Sequence, residues 1–221
     1  EKSIRLFILS DIHYGARNCR EDLLQKAIKI ISQDKESRVI LLGDQIDLVG
    51  HLDVKRFATS GLKQDMDIND LQNIGIYQVE GLLEILKPIE NQIIAAVEGN
   101  HEETFKKYHS VDLHALLCQR IGCIKLPYVS HLRIQLMVEN STVMSSTFDI
   151  VLHHGNGGSG KTKGYPINIC ADMAAPFECD LFVMGHIHRM ADDSSDRICF
   201  DRNRIYRRKK HIAVCGTFLD T

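Results

Sequence analysis

The stretch IRLFILSDIH (residues 4–13) decides the fold, because an apolar run with the character of a buried strand stops abruptly at Asp11 and His13. A second run, RVILLGD (38–44), ends in the same way at Asp44. Carboxylate and imidazole groups are metal ligands, and alternate residues of an extended segment point to the same side. Asp11 and His13 can therefore reach one cavity at the carboxyl end of a strand, where open α/β sheets build their sites.

Three later apolar runs repeat this arrangement. Each is followed by side chains that can bind metals, in Asn100-His101-Glu102, His154-Gly155 and His186-Ile187-His188. A single motif of this kind arises readily by chance, but five of them in order at strand ends indicate one site. Glycines stand beside these residues, where the chain is expected to turn sharply, at Gly43, Gly99, Gly155 and Gly185.

The pattern between these motifs indicates an α/β (α+β) fold. Helices are predicted where apolar residues recur at helical spacing, over 21–33, 71–87, 110–122 and 167–175. Strands dominate the second half, over 132–139, 147–154 and 181–186, with a C-terminal hairpin over 198–216. Residues 51–70 have mixed character and are interpreted as a loop or an insertion. We expect a single domain over 1–221, in which two sheets pack together with helices outside.

The composition is that of a soluble globular protein: 221 residues, 44% hydrophobic and 25% charged, with a formal net charge of −2. This balance gives no overall attraction to nucleic acid or to anionic membranes. No apolar run is long enough to span a membrane and no signal peptide is visible, so a cytoplasmic location is expected. The seven cysteines are scattered without a Cys-x-x-Cys pair, which favours reduced thiols.

The ordered series DIH, GDQID, GNHE, HHG and GHIH is similar to that of the calcineurin-like metallophosphoesterases, from Asp11 to His188. A looser similarity, through GGSGKTKG and GTFLD, links the chain to members encoded by bacteriophages and prophages. The resemblance implies a sandwich of two mixed β-sheets flanked by helices. It implies a first metal held by Asp11, His13, Asp44 and His188, and a second held by Asp44, Asn100, His154 and His186. It also implies that His101 is the catalytic histidine beside the scissile phosphate.

The chemistry of these residues suits two divalent ions, with Mn²⁺ expected and Fe, Zn²⁺ or Ni²⁺ as alternatives. Two such ions activate a bridging water, which attacks phosphorus opposite the leaving oxygen. His101 would then donate a proton to the leaving group, and Asn100 would contact both metal and phosphate. Asp47 is expected to orient a metal ligand, and Glu102 to hydrogen-bond behind the loop.

Residues 155–162, GNGGSGKT, also match the phosphate-binding loop pattern of nucleotide-binding proteins. Pro166 follows too closely for the helix of such a loop, and the next strand ends in histidines rather than in an acidic residue. We therefore expect a flexible glycine-rich loop beside His154. Lys161 and Lys163 either meet a substrate phosphate or are simply solvated.

The substrate is less constrained by the sequence. The Arg-Gly pair of the protein phosphatases is absent after Asp47, where Leu48-Val49-Gly50 stands. Six basic residues among 202–210 either contact a nucleic-acid backbone or protect an edge hairpin by charge. A nucleic-acid or nucleotide phosphodiester is the expected substrate. The alternatives are a phosphoprotein or small-molecule monoester, or a non-catalytic metal-binding adaptor with the same fold. The oligomeric state is not predicted.

Overall fold

The computed structural model describes residues 4–48, 73–137, 144–158, 160 and 162–220. The segment interpreted as an insertion, 51–70, lies outside these residues. The chain divides into two compact units, here called unit 1 (residues 1–128 and 217–221) and unit 2 (residues 129–216). The single domain stays a prediction, and each unit is described by itself.

Unit 1 is built on a four-stranded parallel sheet with strand order β1-β2-β3-β4. The strands are β1 (Leu6–Leu9), β2 (Arg38–Leu42), β3 (Ile93–Val97) and β4 (Ile124–Leu126). β1, β2 and β3 are apolar runs that were predicted as strands, whereas the short β4 was not predicted, and the side chains of Val39 to Leu42 are fully buried. A strand buried on both faces needs such a continuous apolar run, which explains why the pattern was readable.

In the described part of unit 1, four helices cover this sheet, together with a 3₁₀ helix over Lys87–Gln92. They are α1 (Glu21–Ser32), α2 (Ile74–Leu86), α3 (Asn100–His109) and α4 (Leu113–Ile121). The side chain of Asp112 caps α4 by accepting a hydrogen bond from the backbone of Ala115, and Gly122 ends it in the left-handed conformation. Leu24 of α1, Leu82 of α2 and Leu117 of α4 pack with the strand residues in one apolar core.

Unit 2 contains a five-stranded mixed sheet with strand order β5-β6-β7-β9-β8. Its strands are β5 (Val129–Met137), β6 (Met144–His153), β7 (Leu181–Met184), β8 (Ala191–Asp201) and β9 (Arg204–Val214). The one helix described in this unit, α5 (Tyr165–Ala174), packs on the face that carries Phe182 and Met184. β6, β7 and β9 are mutually parallel, and they carry the antiparallel strands β5 and β8 at the two edges.

The C-terminal hairpin is longer than the pattern predicts, because β8 already begins at Ala191. Its turn lies at Arg202 and Asn203, as predicted. His211 pairs with the first residue of β7, and the β9 residues before it, 204–210, pair with β8 alone among the described strands. This two-stranded extension, residues 195–210, is called the arm.

The α/β class with two sheets and five α-helices confirms the fold prediction. One of the two sheets departs from the resemblance, since the unit 1 sheet is purely parallel over the described residues and only the unit 2 sheet is mixed. No helix of the described chain has the length and apolar character needed to cross a membrane.

Candidate metal site

The first two motifs of unit 1 lie side by side because their loops continue the ladder of the strands before them. Asp11 donates its backbone N–H to Gly43, and His13 donates to Asp44. Asp11, His13 and Asp44 all take the left-handed backbone conformation, with φ of 51°, 49° and 48°. Left-handed non-glycine residues are strained and concentrate at functional sites, and no sequence pattern signalled them here.

Asp44 is the centre of the unit 1 cluster. One of its carboxylate oxygens, Oδ2, lies 3.7 Å from His13 Nε2 and 4.0 Å from His101 Nε2. His13 Nε2 also lies 3.9 Å from Asp11 Oδ1. Ligand atoms of His13, Asp44 and His101 fall within 4.8 Å of one another, a spacing that suits a shared cation. A cation about 2 Å from each ligand atom keeps such atoms roughly 3–4 Å apart, so the donor set fits a transition metal.

Asp47 connects the two imidazoles. Its carboxylate Oδ1 lies 3.4 Å from His13 Nδ1 and 3.6 Å from His101 Nδ1. His101 Nδ1 also hydrogen-bonds the backbone carbonyl of Asp47. A carbonyl can only accept, so Nδ1 carries the proton and Nε2 is the nitrogen left to face a ligand. This geometry agrees with the prediction that Asp47 orients a ligand rather than reacting.

Glu102 holds the loop of Asp44 from behind, as predicted. Its buried carboxylate accepts hydrogen bonds from the backbone N–H groups of Asp44 (3.1 Å), Gln45 (2.8 Å), Ile46 (3.2 Å) and Gly99 (2.9 Å). Because these four donors replace water around the buried charge, the Glu102 carboxylate fixes the backbone that carries Asp44.

Gly99 has a different role from the one that its position beside the motif predicts. Its φ of −103° is open to any residue, so no sharp turn requires glycine there. A Cβ at this position would instead lie 2.1 Å from the backbone nitrogen of Asp44 and 2.3 Å from its Oδ1. Gly43 and Gly155, in contrast, do adopt positive φ, of 80° and 121°. Gly99 is thus required because the segment after β3 passes close to Asp44.

Asn100 is the first residue of α3, directly before His101, and Gly99 is the N-cap. The backbone N–H of His101 donates to Asp44 Oδ1 at 2.9 Å. The start of this helix therefore directs a donor at the oxygen of Asp44 that does not face the imidazoles. Within the GNHE motif, the backbone of His101 and the side chains of His101 and Glu102 therefore approach the Asp44 loop.

Sequence reasoning assigned no role to three residues of unit 1, Thr217, Phe218 and Tyr128. Thr217 Oγ1 and the backbone N–H of Phe218 both donate to the carbonyl of Asp11, at 2.8 and 3.0 Å. Burial and the nearby charge of Asp44 raise the pKa of Tyr128, and its hydroxyl stays protonated at neutral pH. Thr217 and Phe218 stand in the GTFLD stretch, and Tyr128 stands in no motif, so only the fold shows what these residues contact.

In unit 2 the structure brings His154 and His186 together. Their rings lie 5.4 Å apart in a T-shaped arrangement, and His154 is fully buried. His186 and His188 have a left-handed backbone conformation, with φ of 68° and 61°, as Asp11, His13 and Asp44 do in unit 1. His153 lies apart from them near Phe182, 6.2 Å between ring centres, in line with the expectation that it points to the opposite side.

The glycine-rich loop is tied to the histidines at Gly157, whose carbonyl lies 3.0 Å from His186 Nε2. Lys161 lies outside the described residues, and Lys163 is exposed. The helix after this loop starts only at Tyr165, and Pro166 sits in its first turn, where proline is tolerated. Pro166 therefore does not prevent a helix, but the helix begins later than a phosphate-binding loop ending at Thr162 would require.

Comparison with known proteins bears on the family. The model of the calcineurin-like phosphoesterase family matches residues 4–190. No curated protein matches the chain. Solved structures with a similar fold include the nuclease MPE of Pseudomonas putida, at 12% identity and a TM-score of 0.42 over 98% of this chain and 75% of that one.

Two further solved structures are equally distant. A mutant Vps29 of Entamoeba histolytica is 11% identical, with a TM-score of 0.41, over 96% of this chain and 73% of that one. GAP50 of Plasmodium, titled the anchor in the inner membrane complex, is 12% identical, with a TM-score of 0.44, over 97% of this chain and 72% of that one. Such distant matches do not bear on function, whereas the family match covers most of the chain and all five motifs. The chain belongs to the calcineurin-like phosphoesterase family.

Proposed function

We propose that the protein is a dinuclear metal-dependent phosphoesterase acting on a phosphate mono- or diester, with a nucleic-acid or nucleotide phosphodiester as the favoured substrate. The observation that carries the proposal is the position of the buried Asp44 carboxylate between the imidazoles of His13 and His101. A buried carboxylate with both imidazoles at 3.7–4.0 Å, and with loops held in strained conformations, is an arrangement that a bound cation would stabilise.

The proposed ligand sets follow the order of the motifs in the chain. The first metal takes Asp11, His13, Asp44 and His188, and the second takes Asp44, Asn100, His154 and His186. Two divalent ions, Mn²⁺ foremost, would supply a nucleophilic water at neutral pH and neutralise charge on the phosphoryl oxygens.

His101 is proposed as the residue that protonates the leaving oxygen. Its Nδ1 is engaged by Asp47, so only Nε2 can face the substrate. The unit 1 geometry also allows His101 Nε2 to approach a metal. Its distance to Asp44 Oδ2, 4.0 Å, is only about 0.3 Å longer than the distance from His13 Nε2 to the same oxygen. The two roles differ in one respect: a ligand is needed for metal affinity, and a proton donor is not.

The preference for a diester is supported by the exposed cations Arg207 and Lys209 of the arm, and Lys161 and Lys163 are proposed to meet a substrate phosphate. The arm is a weaker argument than the sequence suggested, because two of its six basic residues form hydrogen bonds inside unit 2. Arg208 pairs with Asp180, and Lys210 bonds two backbone carbonyls.

The decisive experiment measures hydrolysis of bis-p-nitrophenyl phosphate, p-nitrophenyl phosphate, and single- and double-stranded DNA by the metal-free protein reloaded with Mn²⁺, Fe²⁺, Zn²⁺ or Ni²⁺. We expect diester hydrolysis with two Mn²⁺ per chain. His101→Asn should lower kcat by about 10²–10⁴ with Mn²⁺ affinity retained. Stacked on Phe105, His109 provides the matched control His109→Asn, which should stay near wild type.

The other outcomes separate the alternatives. Hydrolysis of the monoester alone indicates a phosphomonoesterase. Binding of two Mn²⁺ with no hydrolysis of any ester indicates an adaptor. Loss of metal in His101→Asn assigns His101 as a ligand, and a wild-type protein that binds no divalent ion refutes the proposal.

A further inference from the structure

Unit 2 contains two cationic side chains that no carboxylate neutralises among the described residues. Lys210 of β9 is only 6% exposed, and its Nζ donates to the backbone carbonyls of Ala174 and Phe177. Arg197 of β8 donates Nη2 to the carbonyl of Cys179, while its Nε is buried and has no hydrogen-bond partner in the described chain. Each cation is thus held by neutral acceptors and keeps part of its hydrogen-bonding capacity unused.

This arrangement is costly for the folded protein as it stands. Burial lowers the pKa of Lys210, and the nearby positive charge of Arg197 lowers it further. Arg208, two residues earlier on the same strand, shows the usual solution, since it forms two 2.5 Å hydrogen bonds with Asp180 and its pKa is raised. Buried cations ordinarily pair with a carboxylate in this way. Arg197 and Lys210, which have no such partner among the described residues, therefore indicate a place for an anion.

The two cations line a groove of about 440 Å³ between the segment after α5 and the arm, and the exposed side chain of Glu178 also lines it. Three aromatic side chains also line it, Phe177, Phe200 and Tyr206. The guanidinium of Arg204 lies over the Tyr206 ring, 5.5 Å from its centre. Proteins that bind single-stranded nucleic acids combine two elements. Cations bind the phosphates, and aromatic rings stack on the bases.

We propose that this groove binds a nucleotide unit, with its phosphate at Arg197 and Lys210 and its base against Tyr206 and Phe177. The unit is either a free nucleotide or one residue of a single-stranded nucleic acid. The third N–H of Lys210 and the unused donors of Arg197 accept the phosphate, so the ligand completes hydrogen bonds that the protein leaves open.

The groove is separate from the proposed metal ligands of the same unit. β9 is parallel to β7, and Val214 pairs with Met184, shortly before His186. Lys210 and Tyr206 precede Val214 by four and eight residues on the same strand. At roughly 3.3 Å per residue they lie about 13 and 26 Å back along the strand. A nucleotide in the groove therefore does not occupy the histidine end, and its binding is independent of the proposed hydrolysis.

The test measures binding to the metal-free full chain in EDTA, so that the metal site cannot hold phosphate. The probes are inorganic phosphate, AMP, and an oligothymidylate of about 12 nucleotides, within the usual length covered by one such site. AMP should bind tighter than phosphate. If the oligothymidylate binds much more tightly than AMP, the natural ligand is a single-stranded nucleic acid. If the two bind with equal affinity, the ligand is a free nucleotide.

The variant pair Arg197→Gln and Arg207→Gln makes the test specific. Both remove one positive charge from the same arm, but Arg207 is 80% exposed at its side chain and lies outside the groove. Arg197→Gln should raise the dissociation constant for AMP about tenfold or more, as expected for a lost charge-assisted hydrogen bond, and Arg207→Gln should change it little. Tyr206→Leu should remove the preference for AMP over phosphate.

Folding and hydrolysis serve as controls: all three variants should unfold cooperatively, and Arg197→Gln and Tyr206→Leu should keep the Mn²⁺-dependent hydrolysis of bis-p-nitrophenyl phosphate. Equal loss in Arg197→Gln and Arg207→Gln would show a diffuse charge effect and overturn the proposal. So would AMP that binds no tighter than phosphate, or a wild-type chain that binds neither. None of these results depends on whether the protein is a hydrolase.

Discussion

The proposed ligands of unit 1 are held against their own conformational preference. Asp11, His13 and Asp44 adopt φ between 48° and 51°, a region that costs about 1–3 kcal/mol for a residue with a side chain. Such conformations persist only where neighbouring contacts impose them. For Asp44 the contact is the Glu102 carboxylate, which accepts its N–H and those of the next two residues. One buried side chain thus fixes the residue on which the cluster depends.

Replacing Glu102 by glutamine tests this role. The amide keeps one acceptor oxygen but turns an NH₂ group towards two backbone N–H donors, those of Asp44 and Gly99 or those of Gln45 and Ile46. Two buried donors then lose their acceptor, so we expect a loss of about 2–4 kcal/mol in the free energy of unfolding. Denaturant unfolding of the metal-free protein measures it. Glu103→Gln, at the exposed neighbouring position, should stay within about 0.5 kcal/mol.

Gly99 makes a second prediction at this scale. Alanine is compatible with its φ of −103°, so backbone strain is not the issue. The added Cβ would meet the nitrogen and Oδ1 of Asp44 at 2.1 and 2.3 Å, and β3 or the Asp44 loop must move. We expect Gly99→Ala to lower Mn²⁺ affinity at least about tenfold, as for other changes that displace a ligand's support. Gly158→Ala, where a Cβ meets nothing within 4 Å, is the control, and equal affinities in both variants would refute the steric argument.

At the scale of elements, the buried strands and their boundaries were predictable because each combines a continuous apolar run with a polar stop. β2 and β3 show this most clearly, at Asp44 and at Asn100. The division of the basic run was not predictable. Whether Arg208 faces Asp180 or solvent depends on the register of β9 against its neighbours and on residues 28 positions away in the chain. Charge in a sequence shows how many cations exist but not which ones the fold uses.

The C-terminal strap, residues 217–220, is the second element that the sequence did not show. Thr217 Oγ1 donates to the carbonyl of Asp11 and accepts from the N–H of Leu219. The strap is fixed to unit 1 by hydrogen bonds between Arg20 and Phe218 and between Asn18 and Asp220. Phe218 packs against the core. The strap therefore supports the backbone of Asp11, a proposed metal ligand.

Thr217→Val removes the hydroxyl while keeping the shape, and the N–H of Phe218 still reaches the Asp11 carbonyl. Losing one of the two hydrogen bonds that the Asp11 carbonyl accepts costs about 1 kcal/mol, so Mn²⁺ should bind about fivefold more weakly. Calorimetric titration with Mn²⁺ measures this directly. Thr217→Ser, which retains the hydroxyl, should bind as the wild type does. A valine variant with unchanged affinity, or a serine variant as weak as valine, would show that the strap merely covers this surface.

At the scale of the whole molecule, each unit has its own sheet and core, and each orients its share of the motif residues by its own backbone. Unit 1 holds its cluster through Glu102, and unit 2 holds His186 through Gly157 and the loop before it. The proposed ligands are therefore positioned by folding, before any metal binds. Conditions that unfold a core should then remove metal binding, and buried groups distant from the cluster can control the pH range of the fold.

His114 is such a group. It is 1% exposed on α4, where its ring lies near Cys118 and 3.3 Å from the carbonyl of Leu126. Burial lowers its pKa to about 4, a backbone hydrogen bond and Asp112 oppose the shift, and Lys125 adds to it. The unfolded chain titrates near the ordinary pKa of about 6.5. The unfolded state therefore binds the extra proton between these values, and stability falls as pH drops from about 6.5 towards 4.

The difference of about 2.5 pKa units corresponds to roughly 3 kcal/mol lost over this window, since one unit is about 1.4 kcal/mol. Unfolding temperatures of the metal-free protein at pH 7 and pH 4.5 measure the loss. His114→Gln should lower stability at pH 7 but recover most of the difference at pH 4.5, because glutamine takes up no proton. The other histidines contribute equally to the wild type and to the variant, so the comparison isolates the effect of His114. If the stability of His114→Gln falls between pH 7 and pH 4.5 as steeply as that of the wild type, burial of His114 does not cause the acid sensitivity.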